Sequence, residues 1–116
     1  MSAPITSRFR SMLQRAAKPR EVAEEKRFVK LARDLGWITR KMNGGGYRDW
    51  ADQLVLLPYG VTVLAEFKRG REVMRETQAE LASTIVHMGH RVVLVYTAEQ
   101  AIALCEEAIM IERTRP

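Results

Sequence analysis

Apolar residues recur at helical spacing early in the chain. Val22, Val29 and Ala32 form a stripe that Phe28 or Leu35 completes. Pro19 suits a first helical turn and Gly36 a helix end, which predicts a helix from Pro19 to about Leu35. Trp37 to Met42 reads as a short strand carrying Arg40 and Lys41, and Asn43-Gly44-Gly45-Gly46 as a loop leading to Tyr47 and Trp50. Asp52 to Leu57 reads as a strand, Pro58-Tyr59-Gly60 as a turn, and a largely apolar strand starts at Val61. After a basic loop, Arg69-Gly70-Arg71-Glu72, a second helix spans about Arg75 to Met88, and Gly89 stops it. Arg91 to Tyr96 is expected to be a buried strand. Thr97 is placed to cap a last helix, Ala98 to about Arg113, with Glu99 near its positive end. The order αβββαβα predicts an α/β fold, a small sheet of about four strands flanked by helices.

Charge breaks the apolar pattern at one place. Glu66 and Lys68 interrupt and end the strand that begins at Val61. Burying charge there is costly unless it is paired or binds a metal. Two residues apart, the two side chains leave the same face of the strand. Asp52 joins them through the hairpin. If the turn has three residues, Leu57 faces Val61, and counting five residues outward along both strands places Asp52 opposite Glu66. Directly opposed side chains share a face, with Cβ atoms roughly 4.5–5.5 Å apart. Two carboxylates so placed repel, and a divalent cation between them is the natural remedy. A two- or four-residue loop would break the parity.

These residues carry a resemblance. Asp52, then Glu66-x-Lys68, is similar to the signature of the PD-(D/E)xK nuclease superfamily. The surroundings resemble its VRR-NUC branch: Glu25-Lys-Arg-Phe-Val, Leu35-Gly36-Trp37, Lys41, the Gly-rich stretch, Ala51-Asp52-Gln-Leu-Val-Leu-Leu-Pro58-x-Gly60, Gln78 and Gly89-x-Arg-Val-Val-Leu-Val. The likeness covers roughly residues 22–105. One departure is visible: Ala51 stands where the family usually has proline. The resemblance implies a restriction-endonuclease-like core with a mixed sheet. It implies a metal-dependent DNA endonuclease, selective for branched or junction DNA rather than for base sequence, and acting as a homodimer. Asp52, Glu66 and the Phe67 carbonyl would hold Mg²⁺ or Mn²⁺. Lys68 and Gln78 would complete the catalytic set with Glu25, whose carboxylate would serve as an outer metal ligand. A module that keeps the fold and binds nucleic acid without cutting it is the alternative; the intact Asp52, Glu66 and Lys68 favour the enzyme.

Other residues have two readings. Glu25 lies among Glu21 and Glu24, an ordinary solvated helix face; the resemblance selects Glu25, with Glu24 as competitor. Gln78 shares the core-facing stripe of Leu81 and Ile85, where a buried amide needs partners such as the site carboxylates. Lys41 either touches a phosphate at the site edge or is a strand-end lysine, and Arg69 and Arg71 either grip DNA or are merely solvated. Arg48 is a further candidate for holding DNA. Tyr47 and Trp50 are more simply loop anchors than stacking platforms. His87 and His90 lack zinc-ligand spacing.

Composition narrows the class. The chain has 116 residues, 47% of them hydrophobic, enough for one compact core. No apolar run approaches the roughly 18 residues of a membrane span. The single cysteine, Cys105, excludes an internal disulfide, suits a helix core and fits a reducing compartment. The net charge of +5 is unevenly spread. Arg8, Arg10, Arg15, Lys18 and Arg20 lie in a stretch without acids; taking these five from 19 basic residues leaves 14, matched by 14 acidic ones. Residues 1–18 are therefore expected to be a basic flexible arm, and 19–116 the nuclease domain. Arg8 and Arg10 would hold phosphates by counterion release. A solubilising tail and an organellar presequence are the other readings of this arm. A cytoplasmic location, in a bacterial or phage-infected cell, is otherwise expected.

Overall fold

The computed structural model describes residues 22–43 and 48–116. The basic arm with Arg8 and Arg10, the expected start at Pro19, and Tyr47 lie outside the described residues. Helix α1 occupies residues 22–34. Strands β1 (Ile38–Lys41) and β2 (Gln53–Leu56) follow, then a tight turn at Pro58–Gly60 and β3 (Thr62–Phe67). Helix α2 (Glu76–His87), β4 (Arg91–Val95) and α3 (Ala98–Arg113) complete the αβββαβα order.

The sheet runs β1-β2-β3-β4, antiparallel except for the parallel pair β3–β4. Its mixed character follows from the connections. A short turn can only reverse the chain, whereas α2 carries it back to start β4 in the direction of β3. The hairpin has the expected length. Gln53 pairs with Ala65 and Leu56 with Thr62, and the Leu57 amide donates to the Val61 carbonyl at 2.8 Å. The turn reverses within three residues because Tyr59 and Gly60 both take positive φ, 63° and 71°. Glycine does so freely; tyrosine stores strain there.

Both faces of the sheet are covered. Val55, Val63, Ala65, Phe67 and Val95 pack against Phe28 and Ala32 of α1 and Ala98, Ala101, Cys105 and Ala108 of α3. The Phe28 and Phe67 rings meet at 5.5 Å. On the other face Leu64 and Val92 meet Leu81, Ala82 and Ile85 of α2. Thr97 caps α3 by accepting from the Gln100 amide, as the sequence predicts. β4 differs from expectation. Its first four residues are only half-buried, because it lies at the sheet edge. Cys105 is fully buried, and that burial pushes its thiol up to about 12.

Candidate active site

The site forms where the β2–β3 ladder ends and β3 runs on for two more residues, Glu66 and Phe67. The ladder ends at Gln53–Ala65. The next pair outward is Asp52 and Glu66, and there side-chain bonds replace the ladder. The Phe67 amide donates to Asp52 Oδ2 at 2.8 Å, and the Asp52 amide to Glu66 Oε1 at 3.1 Å. A residue's N–H and C=O leave a strand on the same side, so the Phe67 carbonyl also faces Asp52. Both carboxylates are buried, with 6% and 3% of their residue surfaces exposed.

Lys68 and Gln78 close around Glu66. Lys68 Nζ lies 3.0 Å from Glu66 Oε2, its side chain only 11% exposed, and Gln78 Nε2 donates to the same oxygen at 2.7 Å. The two-residue spacing on β3 thus brings Glu66 and Lys68 together, and the stripe position of Gln78 on α2 aims it at the carboxylate. Burial, then the charge of Asp52, push the Glu66 carboxyl from its ordinary 4.5 up to about 7, against the pull of Lys68 and Gln78.

Glu25 and Glu24 part company. Glu24 accepts from the Ala98 amide at the start of α3 and pairs with Arg27. Glu25 Oε2 takes Lys41 Nζ at 2.7 Å and Gln53 Nε2 at 2.6 Å. Lys41 lies in turn 3.6 Å from Asp52 Oδ1, so Glu25 meets the centre through Lys41. Burial works against the charge on Lys41, but Glu25 and Asp52 outweigh it and raise its pKa. Arg48, Arg69 and Arg71 are exposed. Arg69 lies 3.9 Å from Glu72, and the Arg48 carbonyl accepts from Arg75. His87 Nδ1 lies 2.8 Å from the Ser83 carbonyl, and Trp50 is half-buried.

Two participants escape the sequence reading. Gln53, the buried partner of Glu25, passes for a strand residue. Asn43 reads as the first residue of a glycine loop, yet its Nδ2 donates to Asp52 Oδ1. No periodicity or register signal marks it, because Asn43 follows Met42, the last residue opposite β2, where the chain leaves the sheet.

The donor set suits a hard divalent cation. A carboxylate offers about four lone-pair positions. Asn43 and the Phe67 amide each take one on Asp52, leaving a place on each oxygen. Gln78 Oε1 is buried with no hydrogen-bond partner among the described residues. No group of three His, Cys, Asp or Glu side chains gathers among those residues. The residues that could hold a cation are Asp52 and Glu66, with the Phe67 carbonyl beside them.

The sequence matches no family model and no curated protein. The structure is similar to a solved VRR-NUC domain, with a TM-score of 0.66 and 26% identity over 75% of this chain and 95% of that one. This match supports a VRR-NUC domain, a nuclease-type domain on a restriction-endonuclease-like fold. No helix among the described residues is long and apolar enough to cross a membrane.

Proposed function

We propose that this VRR-NUC domain is a metal-dependent endonuclease that hydrolyses phosphodiester bonds in branched or junction DNA. The observation that carries the reading is the assembly of Asp52, Glu66, Lys68 and Gln78 at the ends of β2 and β3, inside a fold shared with a VRR-NUC domain. Asp52, Glu66 and the Phe67 carbonyl would hold Mg²⁺ or Mn²⁺ through hard oxygen donors. When bound, the ion supplies charge stabilisation at the phosphate and lowers the pKa of a coordinated water.

The chain's own residues do the rest. Hydrolysis adds the oxygen of water to phosphorus and expels a sugar oxygen, which takes up a proton. Lys68 Nζ, fixed against Glu66, presents hydrogens to the attacking water and to a non-bridging phosphate oxygen. Gln78 holds Glu66 from the α2 side, and its unpaired Oε1 can accept from a water in the site. The Glu25–Lys41 pair lines the rim of the site, where Lys41 can turn to a neighbouring phosphate. Arg48, Arg69 and Arg71 supply further exposed charge for the backbone, as do Arg8 and Arg10 in the N-terminal segment. None of this reads bases, so selectivity rests on DNA shape. A homodimer would let two sites act on one junction.

The test is a substrate panel. With Mn²⁺, rates on four-way junctions and flaps should exceed those on plain duplex, and sedimentation of the DNA-free protein should give two copies. Equal rates on all forms would remove structure selectivity. Binding without any cutting would favour the non-catalytic module.

A further inference from the structure

We propose that Asn43 is a positioning residue for the metal site, setting the orientation of the Asp52 carboxylate. The inference rests on the metal-dependent reading above and names a residue that the sequence motif does not contain. The β1–β2 ladder continues one step past Lys41–Gln53: the Met42 amide donates to the Asp52 carbonyl at 2.9 Å. Met42 therefore lies opposite Asp52, and Asn43 is the next residue, where the chain has left the ladder and its side chain turns back to Asp52.

The carboxylate of Asp52 spans the gap that β2 leaves open. Its Oδ2 faces β3 and accepts the Phe67 amide; its Oδ1 faces β1, accepting Asn43 Nδ2 with Lys41 Nζ 3.6 Å away. Two neutral donors on opposite sides fix the plane of the group, whatever charge lies beside it. Lys41 is the more distant partner of Oδ1: its ammonium lies 2.7 Å from Glu25 and 3.6 Å from Asp52. The Phe67 amide alone leaves Asp52 free to turn about that single bond. A ligand carboxylate held from behind by hydrogen bonds costs less ordering when a cation binds, and loss of such a partner typically lowers metal affinity.

The experiment is calorimetric titration of Mn²⁺ into the DNA-free, full-length protein, followed by cleavage rates across a Mn²⁺ series. Asn43→Ala should bind Mn²⁺ about 10- to 100-fold more weakly than wild type, yet approach wild-type turnover once metal saturates. Asn43→Gln retains an amide donor and should recover part of the lost affinity; it also carries the comparison if Asn43→Ala does not fold. Wild-type affinity in Asn43→Ala, or Asn43→Gln binding no better than Asn43→Ala, overturns the assignment. So does lost turnover at saturating Mn²⁺ with unchanged affinity, which would put Asn43 on the substrate instead. A wild-type protein that binds no Mn²⁺ overturns the proposed function first, and this inference with it.

Discussion

Replacing Glu66 by glutamine should change how the metal-free protein responds to pH. The Glu66 carboxyl is raised from 4.5 to about 7 by burial and by Asp52. A raised folded-state pKa means that the native protein holds this proton more tightly than the unfolded chain does. The associated stability is fully present below pH 4.5 and is lost as pH rises through about 7. At about 1.4 kcal/mol per pH unit the shift caps the effect near 3 kcal/mol, and screening at this rim of the sheet reduces it to about 1–2 kcal/mol.

Glutamine cannot titrate, so Glu66→Gln should lose that slope. Its Oε1 can still accept the Asp52 amide, while Gln78 can turn its unpaired Oε1 toward the new amide. Lys68 loses an ion pair that exists only where Glu66 is ionised, and the pull of that pair is already part of the Glu66 shift. The assay is urea unfolding in EDTA at pH 5 and pH 8. Wild type should lose about 1–2 kcal/mol more than Glu66→Gln between the two, equivalent to several degrees in melting temperature for a chain of this size. Parallel pH profiles in the two proteins would refute the buried, mutually repelling carboxylate pair.

Four further outcomes follow, from the site, the hairpin turn and the N-terminal segment. Lys68→Ala should keep Mn²⁺ binding and lose turnover, because an ammonium does not ligate cations; calorimetry showing lost binding with the fold intact would make Lys68 structural. Gly60→Ala should destabilise by about 1–2 kcal/mol in urea, since its φ is 71° and an added Cβ meets nothing within 4 Å, so that strain alone acts. Tyr59→Asn, at φ 63°, should gain up to about 1 kcal/mol. Deleting residues 1–18 should flatten the salt dependence of duplex binding by up to about 0.9 per lost phosphate contact, and leave cleavage at saturating DNA unchanged.

The hairpin and its two carboxylates were legible because a tight turn fixes register, and register fixes faces. Lys68 and Gln78 followed from strand and helix periodicity. Glu24 and Glu25 were not separable by pattern: adjacent on one helix, they differ only in what packs opposite, the start of α3 for one and Gln53 with Lys41 for the other. The β4 run Val-Val-Leu-Val reads as buried, but its place at the sheet edge is a property of topology. Asn43 stayed hidden because it lies just past the β1–β2 ladder, at the start of a glycine-bearing connection where neither strand periodicity nor a turn rule applies.

The central claim is that Asp52 and Glu66 together form the cation-dependent cutting centre. Plasmid nicking by wild type, Asp52→Ala and Glu66→Ala, each with Mn²⁺ and with EDTA, tests it most directly. Wild type should nick only with Mn²⁺, and neither variant should nick at all, although both remain folded because each loses one of two repelling charges. Nicking in EDTA, or Mn²⁺-dependent nicking by either purified variant, would contradict the claim.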